Sequence, residues 1–577
     1  MLTIADDDGP TPLAATVGTV PVFRASALFG LEVDRHRRAA ITGASVDRRA
    51  DGSVTVRGTV EQTALSACWS ALRLGAHDVW EFSLELVNAG DRDVALSRLD
   101  PFAAGLAGDD WATLAFRSAW GDEFRPETAY ADGDLFFESR AGRSSHGFVP
   151  WVGFERPGVG FVVAPVWSGN WHIDVTDGGV VSAGISDWLF ETTLAPGESV
   201  RAPSVLVAFG PDRDEAAIGL TSALGDGFTP RSEASERLDV EWNHWWPYED
   251  VGVDEGVIAE NAGHAVRAGI RQVTVDAGWF GPADGGSTWT KVRGDWDQVN
   301  TVRFPSGLGA LGGRIRATGA RPGIWIEAEA VGVDSLVRRE RPEIIARAVD
   351  GRRPDRSYRA ESQALDADDP TFLGYVCCGS ESGRRFVAES LDRVVEVLGA
   401  EWIKLDFNID PDAGCTRTDH GHGSGDGLFR HYLGLYSVLD EFRRRHPEVV
   451  LESCASGGLR LDLGMARHVH CIHLSDPDYT EHALHVLWGA SMMLPRPRCC
   501  TGRGRNGAAS TRLRNSISVS SPPMSSRRPS EPRCCTVSES LCAFRSCVRI
   551  SPTCSPNTSA CTRRPWPHWC GRASSVA

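Results

Sequence analysis

From residue 240 to residue 476 the chain alternates short apolar runs with amphipathic stretches, and that alternation leaves few folds open. The apolar runs are VEWNHW (240–245), RQVTVDAGW (271–279), RPGIWIEAEA (321–330), WIKLDFN (402–408), VVLESCA (449–455) and HCIHLSD (470–476). Each is short enough for a strand and too continuous to face water on one side. Between them lie helix-like segments, such as 254–268, 306–319, 382–399 and 427–445. In 382–399, Phe386, Val387, Leu391, Val394, Val395 and Leu398 recur at the spacing of one helix face. Strand–helix repetition predicts parallel βαβ units. Six strands in this span suit a (β/α)8 TIM-type barrel better than an open nucleotide-binding sheet. No G-x-G-x-x-G follows the first strand and no P-loop motif occurs.

Residues 1–235 read differently. Alternating runs such as GSVTVRGTV (52–60), DVWEFSLELVN (78–88), GVGFVVAPVW (158–167) and SVLVAFG (204–210) are separated by Gly, Asp and Pro turns. This is the pattern of a large β-sandwich. Its aromatics are expected in the core or at a cleft rim, with no chemistry assigned to them.

The expected organisation is therefore multidomain: an N-terminal all-β sandwich (1–235), a catalytic barrel (236–495) that lacks its last strands, and a tail (496–577). The tail holds nine of the 15 Cys, 14 Arg, no Lys, no Asp and only Glu531 and Glu539 as acids. Its charge is +12, so the remainder carries −28 of a total of −16. Adjacent pairs such as Cys499-Cys500 and Cys534-Cys535 do not have zinc-module spacing, and a nucleic-acid tail would normally use Lys as well. An abrupt turn to Arg, Ser, Pro and Cys is what a GC-rich gene gives out of frame. We expect a frame change near 496–500 and a tail without a fixed fold.

The acidic body argues against nucleic acid as a partner. No run of 18 uncharged apolar residues occurs, so no transmembrane helix is expected. The N-terminus MLTIADDDGPTPLAA has no basic and apolar export pattern, which favours the cytoplasm. Cys68, Cys377, Cys378, Cys415, Cys454 and Cys471 show no disulfide framework.

In a TIM-type barrel the site lies at the C-terminal ends of the strands. The candidate strands end there in Asp276, in Glu327 with Glu329, in Lys404 with Asp406, in Glu452 with Cys454, and in Asp476, with Trp245, Trp279 and Trp325 beside them. One such charge is ordinarily a satisfied structural residue; five strands ending this way point to a site. Carboxylates with tryptophans suit a sugar, whose apolar face packs on the rings and whose hydroxyls meet the acids. Two carboxylates can also cleave a glycosidic bond, one as nucleophile or base and one as acid. Metal chemistry is the rival, with His420 and His422 as further ligands, but TDHGHGSGDG (418–427) reads as a mobile loop. An ammonium two residues before a carboxylate lowers the acid's pKa, which a nucleophile needs.

These motifs resemble glycoside hydrolase family 36, the α-galactosidases and their relatives, over about residues 240–495. The sandwich fits the family's N-terminal domain. DAGWFG (276–281) is similar to D-D-G-W-F-G, RPGIWIEAEAV (321–331) to F-G-L-W-F-E-P-E-M, WIKLDFN to K-W-D-M-N, CASGGLRLD (454–462) to C-S-G-G-G-G-R-F-D, and HLSDPDYTEH (473–482) to W-T-S-D-N-T-D. The resemblance implies Asp406 as nucleophile and Asp476 as acid/base of a retaining exo-glycosidase. Asp276, Trp325, Lys404, Cys454 and Gly457 would line the sugar subsite, with Trp245, or equally Trp246, closing it. It implies α-galactoside oligosaccharides as substrate, no metal and no cofactor, and it leaves room for a homo-oligomer. A retaining pair should stand about 5–6 Å apart.

Three departures bear on activity. Ala277 stands where the family has a second Asp, a loss of about 1.5–3 kcal/mol of hydrogen bonding to sugar, with Glu327 and Glu329 as stand-ins. Glu361, in AESQALD (360–366), stands where the family's motif has a sugar-binding Arg. The chain loses sense after Met493-Leu494-Pro495. The alternatives are a related α-glycosidase or transglycosylase with another specificity, a carbohydrate-binding pseudoenzyme, and a metal-dependent lyase or isomerase.

Overall fold

The computed structural model describes residues 2–4, 13–347 apart from 177, 226 and 238, 373–477, 480–494 and 499–500. Glu361 and its motif lie outside the described residues, as does the segment from 501 onward.

The N-terminal half is antiparallel. A ten-stranded sheet runs through Arg125–Tyr130, Ala112–Ser118, Gly147–Arg156, Val159–Pro165, Val205–Gly210, Val79–Asn88, Leu65–Arg73, Val54–Val60 and Ile41–Arg48, with Ser199–Arg201 paired on Val79–Asn88. Seven-stranded and four-stranded sheets accompany it. The strand VWEFSLELVN shows why this half reads as a sandwich: Trp80, Phe82, Leu84 and Leu86 are buried, and the residues between them are not. Phe23 and Phe102 of the seven-stranded sheet meet Phe161 and Phe82 of the ten-stranded one at ring separations of 5.0 Å, so aromatic contacts join the two layers.

A buried charge network crosses this core. His172 donates through both ring nitrogens, to Asp100 and to Asp174 at 2.7 Å each, and Arg98 bonds the same two acids. Burial opposes charge on the imidazole, but Asp100, then Asp174, outweigh it and push the pKa up to about 9. The folded value exceeds the unfolded one, so this stabilisation is complete below about pH 6.5 and is lost as pH rises through 9. Thermal unfolding followed from pH 6.5 to 9.5 should show a falling Tm, worth on the order of a few kcal/mol. The fall should be much flatter in His172→Gln, and equal slopes in the two proteins would refute the assignment.

The second half carries a seven-stranded all-parallel sheet in sequential order: Glu241–Asn243, Gln272–Val275, Arg321–Ile326, Trp402–Leu405, Val450–Ser453, Cys471–His473 and Cys499–Cys500. Helices Glu255–Arg267, Leu308–Ala317, Glu381–Leu398 and Gly427–Arg445 fall between strands as the periodicity predicts. Glu381–Leu398 starts where Ser380 accepts from the Gly383 N–H and stops at Gly399, whose φ of 69° is left-handed. Among the described residues no ladder joins the last strand to the first. The sheet is thus a curled, partial TIM-type barrel, as expected. Its last rung, Cys499–Cys500, lies beyond the boundary at 495 that composition suggests. Among the described residues no helix is long and apolar enough to cross a membrane.

Candidate active site

Register brings the expected residues together. Trp325 pairs with Lys404, and Lys404 with Glu452, so one rung of three strands carries a ring, an ammonium and a carboxylate. One residue past its strand, Asp276 accepts from the Asn243 side chain at 2.6 Å and lies 3.5 Å from the Lys404 Nζ. His244 fixes that turn: Nδ1 accepts from the Asp276 N–H, and Nε2–H donates to the Ala277 carbonyl. Burial lowers the His244 pKa to about 4, which suits a ring that both accepts and donates.

Asp406 is the most heavily solvated carboxylate of the site, and the protein is the solvent. The Trp325 indole donates to it at 3.0 Å, the Asn408 amide at 2.9 Å, and the backbone N–H groups of Phe407 and Ser456 at 2.9 and 3.1 Å. Burial opposes its charge, but the Lys404 ammonium, then these donors and the Cys454 thiol, hold its pKa below the usual carboxylate range. Lys404 stays charged for the converse reason: burial is outweighed by Asp276 and the other acids around it, which push its pKa up.

Asp476 faces the same Cys454. The Cys454 sulfur, a His473 ring nitrogen and an Asp476 oxygen lie within 4.8 Å of one another. Such a trio is a candidate cation site, but the Lys404 ammonium beside it opposes a metal ion. Asp476 keeps 22% of its side chain exposed, against 7% for Asp406 as a whole residue. His473 bridges Asp476 and Glu452 at 3.4 Å each. Burial and Lys404 disfavour its charge, yet the two acids outweigh them and push its pKa up to about 10. Gly457 has a φ of 76°, and a Cβ there would lie 2.6 Å from the Asp476 backbone nitrogen and 3.0 Å from Glu123 Oε1. Its task is close approach. Trp245 packs edge-on to Trp289, which in turn meets Trp325, so a chain of rings ties Trp245 to the Asp406 partner.

Glu327 and Glu329 do not replace the missing Asp at 277. Both are fully buried and engaged, Glu327 by Arg293 and the Asn408 backbone, Glu329 by Arg460 and His431. They brace the floor of the site.

The sandwich takes part, which the sequence did not suggest. The Trp120 indole donates to Asp476 at 3.2 Å. Glu123 accepts from Ser475 and from His482, holding the Asp476 segment on both sides. Arg143 and His146 pair with Asp410 just past the Asp406 strand, and Arg143 also caps the Phe407 carbonyl. Ser144 and Ser168 grip Asp462, the helix cap that ends the Cys454 motif. Asn243, Asn408, Ser456 and His473 were also missed. Asn408 carried a signal, since it sits two residues from Asp406 within WIKLDFN.

The chain matches two family models in order: the glycosyl hydrolase family 36 N-terminal domain over residues 43–195 and melibiase over 240–518. The chain belongs to glycoside hydrolase family 36. Among its curated family 36 relatives, α-galactosidase AgaA of Geobacillus stearothermophilus is 27% identical over 443 residues, 74% of this chain and 58% of AgaA. α-Galactosidase Mel36A of Lactobacillus acidophilus is 26% identical over 72% of this chain and 56% of its own length. The chain thus spans a little over half the length of these curated relatives. A solved AgaA variant in complex with raffinose superposes with a TM-score of 0.73 at 21% identity, covering 87% of this chain and 73% of that one. This supports the family 36 fold of a β-sandwich followed by a TIM-like catalytic domain.

Proposed function

We propose that this chain is a retaining α-galactosidase that removes terminal α-D-galactosyl residues from oligosaccharides. The observation that carries the proposal is the asymmetry of two carboxylates that share Cys454. Asp406 is buried, held ionised by Lys404 and pinned by four hydrogen bonds, as a nucleophile should be. Asp476 keeps 22% of its side chain open to water, where a leaving group and then an incoming water can reach it.

Asp406 attacks the anomeric carbon as the glycosidic C–O bond breaks, and the departing oxygen takes a proton from Asp476. A galactosyl ester on Asp406 results. Water, deprotonated by Asp476, then attacks the same carbon and frees Asp406, so two inversions give net retention. Lys404 and Asp276 address sugar hydroxyls, and Trp325 and Trp245 bound the ring. His473, 3.4 Å from Asp476, orients its carboxyl, and the proton taken from water in the second step restores Asp476 as the acid.

The relatives support both substrate and roles. AgaA variants were solved with stachyose and with raffinose after an Asp→Ala change in one and an Asp→Asn change in the other, alongside a shared Ala→Glu substitution. Those two aspartates are 70 positions apart, the interval between Asp406 and Asp476. We also propose domain limits at 1–235 and 236–495, with the strand Cys499–Cys500 added to the second, and a frame change near 496–500. Reading the gene in its other frames tests the latter, since a continuing family-like sequence is required.

The functional test is release of p-nitrophenol from the aryl α-D-galactoside and from its α-glucoside, with product analysis with and without added acceptor sugar. Galactose release in excess of glucose release is expected. Folded protein that cleaves neither would overturn the reading, and glucose release alone would shift the specificity elsewhere.

A further inference from the structure

Away from the two carboxylates, four residues converge that no step above uses. Cys377 follows the strand Leu373–Tyr375, just ahead of helix Glu381–Leu398. Cys415, His420 and His422 come from the loop between the Asp406 strand and helix Gly427–Arg445. All four side chains are buried, and one ligand atom from each lies within 4.8 Å of all the others. Cys377 Sγ stands 3.3 Å from His422 Nε2, and Cys415 Sγ stands 3.6 Å from His420 Nδ1. In a tetrahedral zinc site with Zn–S about 2.3 Å and Zn–N about 2.05 Å, an S–N edge measures about 3.5 Å.

The imidazoles are also oriented as metal ligands are. His420 Nε2–H donates to the Glu343 carbonyl and His422 Nδ1–H to the Gly423 carbonyl, each at 2.7 Å. Each ring therefore turns a lone pair inward, with its tautomer fixed by a backbone acceptor. The surroundings leave no room to spare: a Cβ on Gly379 would lie 2.6 Å from His422 Cδ2, and one on Gly427 would lie 2.9 Å from His422 Cε1. Hydrogen bonds join Cys415 to Cys377, His420 and His422, and Cys377 to His422, and one ion at their centre would engage all four ligand atoms at once. Within the Gly-rich stretch 418–427, which reads as mobile in the sequence, His420 and His422 turn inward while Thr418, Asp419, Gly421, Gly423 and Ser424 stay exposed.

We propose that Cys377, Cys415, His420 and His422 form a closed structural zinc site. Binding displaces the two thiol protons to solvent, so a dication meets two thiolates and two neutral imidazoles, and the buried centre is uncharged. Soft sulfur with imidazole in tetrahedral array selects zinc over the hard cations. Four protein ligands leave no open position for a substrate, which makes the ion a staple. It fastens the loop that begins at Asp406 to the start of helix Glu381–Leu398. The same loop is tied to residues 342–347 by Arg417 and Thr416. The proposal stands whether or not the chain cleaves galactosides.

The test uses the full chain, whose tail carries nine further cysteines. Zinc is measured by elemental analysis in the wild type, Cys377→Ser and Cys415→Ser, with folding checked by circular dichroism. The expected result is about one zinc per chain lost in each variant, set against four ligands per ion. Cobalt exchanged into the wild type should give tetrahedral d–d bands and a thiolate charge-transfer band, absent from both variants. Should the variants misfold, alkylation of the wild type decides: Cys377 and Cys415 should be protected until a chelator is added and then be labelled, as peptide mapping reads. Zinc equal in wild type and variants, immediate labelling of both thiols in zinc-supplemented protein, or a mapped Cys377–Cys415 disulfide would each overturn the proposal.

Discussion

Asp406→Ala is expected to reduce hydrolysis of p-nitrophenyl α-D-galactoside by about 10⁴-fold or more in kcat, with the protein still folded. The size follows from what the residue does. Without it no covalent intermediate forms, and the single remaining route, direct attack of water, lacks a base on the correct face. The substitution also frees Trp325, Asn408 and the Ser456 N–H from their acceptor. These donors remain able to bind an anion in the vacated space. Azide should therefore enter that space, attack the anomeric carbon and give β-galactosyl azide, restoring part of the aryl galactoside turnover. Asp476 is intact in this variant, so recovery needs only a small nucleophile. A variant that retains a tenth or more of its activity, or an azide adduct of α configuration, would remove Asp406 from the nucleophile's role.

The environment of Asp406 also explains what could be read from sequence and what could not. WIKLDFN gave the pair Lys404 and Asp406 because strand alternation sets them on one face. It overstated the strand, which ends at Leu405: Asp406 N–H still bonds the Ile326 carbonyl, but the two residues after it turn their N–H groups toward carboxylates instead of a ladder. Phe407 N–H and Asn408 N–H go to Asp406 and Glu327. VEWNHW was likewise too long: the strand ends at Asn243, whose side chain holds Asp276, and His244 leaves the sheet to hold the turn after it. Strand and helix positions were legible because burial on both faces of a parallel sheet imposes continuous apolar runs. The sandwich contribution was not, since Trp120, Glu123 and Arg143 meet their partners across more than 260 positions of chain. Nothing local in WGDEF or RSSH marks such contacts. The four residues of the proposed zinc site were hidden for a similar reason. His420 and His422 are close in sequence to Cys415, but Cys377 comes from the preceding unit, and the glycines around the histidines read as slack although both imidazoles are buried.

Asp476→Ala should have an effect that depends on the group that leaves. With raffinose, whose leaving group is a sugar alkoxide, the loss of proton donation falls on bond cleavage itself, and kcat/KM should drop by about 10³-fold, within the range of general acid catalysis. With p-nitrophenyl galactoside the phenolate departs unaided, so the first step changes little. The second step loses its base, the galactosyl ester on Asp406 accumulates, and kcat and KM should fall together. A burst of nitrophenol, followed by a slow steady rate that azide accelerates, is the signature to look for. Its product should now be α-galactosyl azide, the opposite anomer from that of Asp406→Ala, because the nucleophile enters from the leaving-group face. His473 sharpens the test. It contacts Asp476 at 3.4 Å with a pKa pushed up to about 10, so it would be the surrogate acid if Asp476 were only a hydroxyl ligand. Equal losses on raffinose and on the aryl galactoside, without a burst and with turnover passing to the His473→Asn change, would move the acid/base role from Asp476 to His473. Opposite azide anomers from the two aspartate variants would tie each carboxylate to its own face of the sugar.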